Sequence, residues 1–95
     1  MTPRSPVPQE VSTELQRVVR RWRELPLDHA LSCAPTVRAL LDDLAGAQGP
    51  VPDLGPAVLM DQLTVLVHDA CAADWTAATP EALATRLADL RRALT

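Results

Sequence analysis

The chain contains no Lys, Asn, Ile, Phe or Tyr among its 95 residues. These five amino acids have AT-rich codons, so their joint absence indicates a gene from a high-GC bacterial genome. The composition therefore reports mutational bias as much as function. Arginine in place of lysine is no sign of nucleic-acid binding here, and the scarcity of aromatic residues, with only Trp22 and Trp75, is no sign of disorder.

Long hydrophobic runs are also absent, since the longest are four residues, such as Ala57 to Met60. A bilayer-spanning helix needs about 20 apolar residues, so no transmembrane helix is expected. The first residues carry Arg4 among prolines and have no apolar stretch, which is unlike a secretory signal. We therefore expect a cytoplasmic protein. In that compartment Cys33 and Cys71 are expected to be thiols rather than a disulfide.

An apolar content of 47% with 22% charged residues is typical of a globular protein, and 95 residues suffice for one domain. We predict a disordered, Pro-rich tail over residues 1–8 and one helical domain over residues 9–95. The net charge of −3 is unevenly spread. Residues 1–26 hold five Arg against three Glu, residues 27–79 hold one Arg against seven Asp, and residues 80–95 hold three Arg against two acids. Basic ends therefore flank an acidic middle.

Apolar residues at helical spacing predict four helices and no strands. Helix 1 runs from about Pro8 to Leu25 and ends because Pro26 follows. A second helical region starts with a short turn after Asp28 and is predicted to break near Ala34–Pro35. Gly46 and Gly49 end it, and residues 46–56 form the one substantial loop, which is a suitable place for a hinge or a binding loop.

The third helix is predicted from Pro56 to about Asp74, with a continuous apolar face and a weaker second one that includes Val58 and Val65. Thr79 and Pro80 form a typical start for the fourth helix, whose leucines recur at 4-3-4 spacing. The expected fold is all-α, a small antiparallel four-helix bundle with one broken helix.

Each histidine has a cysteine one helical turn away. His29 precedes Cys33 by four residues, and His68 precedes Cys71 by three. Two such pairs supply the ligand types that zinc prefers, so a zinc or redox-sensing site of these four residues is one alternative function. Its weakness is that spacing alone does not bring the two pairs together, and lone cysteines are often small buried hydrophobes.

Catalytic patterns are missing. A Cys/His nucleophile pair could be drawn from the same residues, but neither cysteine lies beside a glycine-rich turn, and no phosphate-binding glycine motif occurs. We therefore expect a protein that is not an enzyme.

Nucleic-acid binding is the second alternative. If helices 1 and 4 are neighbours, they would form a basic stripe of Arg17, Arg20, Arg21, Arg23, Arg86, Arg91 and Arg92. Acidic residues interleave with these arginines, and the middle of the chain is acidic, which argues against this function.

The favoured interpretation is a non-enzymatic protein–protein interaction or regulatory module, as a monomer or a homodimer. Regular apolar seams on helices 1 and 4 are suited to packing against another helix, within or between chains. The predicted partner-binding face is the second face of helix 3, with Asp61, Val65, His68 and Trp75. Trp22, in contrast, lies on the apolar stripe of helix 1 and is expected in the core.

Overall fold

The computed structural model describes residues 7–46, 49–72 and 80–94, and these ranges contain four α-helices and no strand. A single 3-10 turn precedes the third helix. In chain order the elements are α1 (Gln9–Glu24), α2 (Leu27–Ala45), the 3-10 turn (Pro56–Val58), α3 (Leu59–Ala72) and α4 (Pro80–Ala93). The all-α prediction is confirmed. Residues 1–6, Thr79 and the predicted end of helix 3 at Asp74 lie outside the described residues.

The connection between α1 and α2 consists of Leu25 and Pro26 alone. Pro26 disfavours helical geometry in the residue before it, and Leu25 accordingly has an extended backbone (φ −75°, ψ 137°). The chain then enters α2 directly, and the carbonyl of Pro26 accepts a hydrogen bond from the N–H of Ala30. The predicted end of helix 1 is confirmed to within a residue.

The break that the sequence predicted near Ala34–Pro35 is wrong, because α2 continues through Pro35. Proline inside a helix removes the hydrogen bond to the carbonyl four residues earlier and costs about 3 kcal/mol. Here Pro35 and Leu31 are both exposed, so water can reach the carbonyl of Leu31. Ala34 and Val37 are buried in the core. We attribute the continuity of α2 to this packing of its inner face.

The loop after α2 is built from glycines and prolines. Gly46, Gly49 and Gly55 all have positive φ angles, which side chains beyond glycine disfavour. Residues 49–54, called here the 49–54 segment, carry no helix or strand and lead into the 3-10 turn. Residues 49–55 agree with the loop predicted over residues 46–56.

The core is a single aliphatic cluster to which all four helices contribute. α1 packs mainly on α4, and α2 mainly on α3. The fully buried side chains are Val11, Val18, Val37, Leu41, Leu59, Leu63, Val67, Leu87 and Leu94. Trp22 is partly buried and packs against this cluster, in agreement with its predicted role. No helix in the described ranges is both long and apolar enough to cross a membrane.

Candidate protein-binding cleft

An apolar cleft of about 460 Å³ lies between α3 and the 49–54 segment. We call it the α3 cleft. Aliphatic and proline side chains form most of its wall, and Ala45 at the end of α2 closes one side. Its lining residues are Ala45, Gly49, Pro50, Val51, Pro52, Leu54, Val58, Asp61, Gln62, Val65 and Leu66.

Side chains of two helices hold the 49–54 segment in place. Asp42 on α2 accepts a hydrogen bond from the N–H of Val51 at 3.0 Å, and Arg38 forms an ion pair with Asp53. From α3, the amide of Gln62 donates to the carbonyl of Pro52 at 3.0 Å. One wall of the cleft is therefore an irregular segment fixed by hydrogen bonds on both sides, so the cleft is preformed.

The cleft exposes large aliphatic side chains. Leu54 is 64% exposed and Val65 is 57% exposed, although both are apolar. Two of the four large hydrophobic residues exposed in the described ranges thus line one cleft. Scattered exposed leucines are ordinary on protein surfaces, but a concave group of them is typical of a binding site.

Two polar side chains line the otherwise apolar cleft. The Oε1 atom of Gln62 is sealed from solvent and has no hydrogen-bond partner, so a bound group would reach it only if this side chain moved. The Asp61 carboxylate is exposed and, in the described part of the chain, takes part in no ion pair or hydrogen bond, so it can meet a cation on a partner.

Asp61 borders a second apolar depression as well. On its other side lies a surface formed by the α1–α2 turn, the 3-10 turn and the start of α3. Leu27 in this depression is 69% exposed, and Leu31, one turn further along α2, is 50% exposed. Two apolar surfaces therefore meet at one carboxylate.

The structure brings together two of the four predicted partner-binding residues. Asp61 and Val65 both line the α3 cleft, whereas the exposed His68 does not. Trp75 lies outside the described residues. Leu54 and Gln62 were not among the predicted site residues. Residues 46–56 were predicted as a place for a hinge or a binding loop, but spacing along the chain could not show which helix this loop covers.

The four proposed metal ligands do not form one site. Among the described residues, which include all four, no group of three or more His, Cys, Asp or Glu side chains is placed to hold a metal ion. His29 instead lies 3.3 Å from the carbonyl oxygen of Leu94, and Cys33 packs against the core as a partly buried residue. Burial raises the pKa of the Cys71 thiol, which makes it a weaker nucleophile at neutral pH. Both cysteines are free thiols.

The seven arginines of the predicted basic stripe do not lie on one surface. Five of the seven line one cleft between α1 and α4. Arg23 borders the depression beside Asp61 instead, and Arg86 forms an ion pair with Asp43 on α2 at 2.7 Å. The condition that α1 and α4 are neighbours is met, but the stripe is not continuous.

No protein-family model, curated protein or solved structure matches this chain at a significant level. Functional conclusions therefore rest on the geometry of the chain itself.

Proposed function

We propose that this chain is a non-enzymatic protein-interaction module that binds a segment of a partner protein in the α3 cleft. The occupant we infer is an amphipathic segment with apolar side chains and one Lys or Arg. The observation that carries the proposal is the concave group of exposed aliphatic side chains, Leu54 and Val65 above all, beside the exposed carboxylate of Asp61.

The chemistry of the cleft supports each part of this occupant. An apolar wall favours aliphatic side chains, because burying them releases about 25 cal/mol per Å². Asp61 is exposed and favours a cation opposite it. A partner segment with one basic side chain would pair with this carboxylate, whereas a purely apolar one would remove its water without supplying a partner.

Binding in the α3 cleft does not require the 49–54 segment to become ordered. The 49–54 segment is held by Asp42, Arg38 and Gln62 before any partner arrives. A preformed site avoids the free-energy cost of ordering a loop during association. This feature supports a binding function more strongly than exposed aliphatic residues alone would.

Homodimerisation through the same surface is the second candidate. In a twofold-symmetric dimer each surface must contact itself, so a projection and a cleft must lie side by side. Leu27, which is 69% exposed, lines the depression on one side of Asp61, and the α3 cleft opens on the other. The two Asp61 carboxylates would then approach each other near the symmetry axis, which disfavours this arrangement relative to a basic partner.

The experiment is a selection from a display library of random peptides of roughly 16 residues, long enough for about four helical turns. We expect the selected peptides to share aliphatic residues at i, i+3 or i+4 with one Lys or Arg. Binding is measured by fluorescence anisotropy against the wild type, Val65→Asp and Thr64→Asp. The last variant is the matched control, because Thr64 is exposed on α3 and does not line the cleft.

The proposal predicts that Val65→Asp abolishes peptide binding and that Thr64→Asp preserves it. Equal loss in both variants would overturn the site. Sedimentation equilibrium of the protein alone tests the second candidate, since a dimer that dissociates in Val65→Asp would favour self-association over a basic partner.

We further propose that the protein works in the cytoplasm of a bacterium. The free thiols of Cys33 and Cys71 agree with a reducing compartment, and the composition agrees with a high-GC genome.

A specific direction of the helices is also proposed. The first half of α1 borders the first half of α4, and their second halves border each other, which supports a common direction. His29 near the start of α2 lies by Leu94, and Asp43 near its end pairs with Arg86, which supports opposite directions for α2 and α4. In this arrangement the packed helices α1 and α4 run parallel and α2 runs antiparallel to α4, which would depart from the predicted antiparallel bundle.

A further inference from the structure

The cleft between α1 and α4 is lined by charged residues alone. It measures about 440 Å³, and we call it the arginine cleft. Its lining residues are Arg17, Arg20, Arg21, Glu24, Arg91 and Arg92. The five arginines among these residues favour an anionic ligand.

Four of these arginines share two carboxylates among the described residues. Arg17 and Arg91 pair with Glu14, and Arg20 and Arg21 pair with Glu24. Arg92 pairs with Asp89. Glu24 lies 3.6 Å from both Arg20 and Arg21, which is too far for a normal hydrogen bond. These two guanidinium groups therefore have N–H groups free for another acceptor.

Arg21 adds an independent indication of a ligand. Its Nε atom is buried and has no hydrogen-bond partner, while the side chain as a whole is 36% exposed. Buried donors are paired in most protein structures, and an exception commonly marks a place where water or an ion binds. An anion in the arginine cleft would contact the accessible terminal nitrogens of this guanidinium group, of which Nη1 lies 3.6 Å from Glu24.

The helix dipoles explain the position of some of these arginines. Arg21 lies in the last turn of α1, and Arg91 and Arg92 lie in the last turn of α4, where cations interact favourably with the helix dipole. Arg17 and Arg20 lie earlier in α1 and yet line the same cleft. Stabilisation of helix ends does not explain their convergence.

We propose that the arginine cleft binds a phosphate-bearing small anion. Guanidinium groups match phosphate oxygens in bidentate geometry, and an anion with several charged oxygens can contact more than one of them, so inorganic pyrophosphate is a suitable probe. A nucleic-acid backbone needs a longer basic track. Arg23 and Arg86 lie outside the cleft, and the chain carries a net charge of −3, so the observations favour a compact anion.

The test is isothermal titration of the full chain with sodium pyrophosphate at roughly 50 mM salt, where screening is moderate. We expect binding of one anion per chain. Arg20→Gln and Arg21→Gln should each weaken it about tenfold or more, because a charge-assisted hydrogen bond is lost. Arg86→Gln is the matched control and should bind as the wild type does, since Arg86 lies on α4 outside the cleft.

Replacement of Glu24 tests the same site, because it should strengthen binding rather than weaken it. Glu24→Gln should tighten pyrophosphate binding, because both arginines lose their competing carboxylate. Circular dichroism checks that each variant is folded, and Arg20, 85% exposed, can be replaced with least effect on packing. Three outcomes would overturn the proposal: no binding, equal weakening in Arg86→Gln, or tighter binding of citrate or a single-stranded oligonucleotide than of pyrophosphate.

Discussion

Substitutions at two nearby residues of α3 should affect folding and peptide binding separately. Leu63 is fully buried, whereas Val65 is 57% exposed in the α3 cleft. Leu63→Ala removes buried methyl groups and leaves a cavity, which should lower the free energy of unfolding by about 2–5 kcal/mol. Val65→Ala should change it by no more than about 0.5 kcal/mol, as surface substitutions generally do.

Peptide binding should depend on Val65 more than on Leu63. Full burial of a valine side chain contributes about 1.5–3 kcal/mol, so covering the exposed 57% of Val65 is worth roughly 1 kcal/mol. Val65→Ala should therefore weaken peptide binding about fivefold, whereas the folded fraction of Leu63→Ala should bind with nearly unchanged affinity.

Urea unfolding followed by circular dichroism measures the first effect, and fluorescence anisotropy measures the second. At a domain size near 100 residues, the loss in Leu63→Ala corresponds to a fall in Tm of roughly 10 °C or more. A cost below about 1 kcal/mol for Leu63→Ala, or above it for Val65→Ala, would refute the assignment of inner and outer faces on α3.

Three further predictions concern the helices and the wall of the cleft. Pro35→Ala should raise the free energy of unfolding by about 1–3 kcal/mol, measured in urea, because it restores a helical hydrogen bond at an exposed site; a loss of stability would contradict the account of α2. Asp42→Ala should speed hydrogen exchange at the Val51 amide and weaken peptide binding, while Asp43→Ala, which affects only the pair with Arg86, should do neither. Burial raises the pKa of Cys71 above its ordinary value of 9.0, so its contribution to stability is present below that pH and is lost as pH rises through the folded-state pKa. Stability should thus fall more steeply above about pH 9 in the wild type than in Cys71→Ala, and parallel profiles would argue against this burial effect.

The helices were predictable because they depend on local patterns. The apolar stripe of α1, the stop before Pro26 and the start of α4 at Pro80 all follow from side-chain spacing and proline geometry. Pro35 was predicted wrongly for a physical reason. Its local cost is visible in the sequence, but the burial of Ala34 and Val37 on the opposite side of the helix depends on tertiary packing.

The site was only half predictable. Val65 could be recognised as an apolar residue on the polar side of α3, and Asp61 lies one helical turn before it. Leu54 joins them only because Asp42, Arg38 and Gln62 fold the 49–54 segment against both helices. The arginine cleft likewise depends on the packing of α1 on α4, which spacing along one helix does not specify.

The central claim is that the α3 cleft binds a basic amphipathic segment. Its most direct test is a titration of ¹⁵N-labelled protein with a library-selected peptide, followed by two-dimensional NMR. The account predicts the largest shift changes at Leu54, Asp61, Gln62 and Val65, and weaker binding when the basic residue of the peptide is replaced by Gln. Shift changes centred on α1 and α4, or binding that is indifferent to the basic residue, would contradict it.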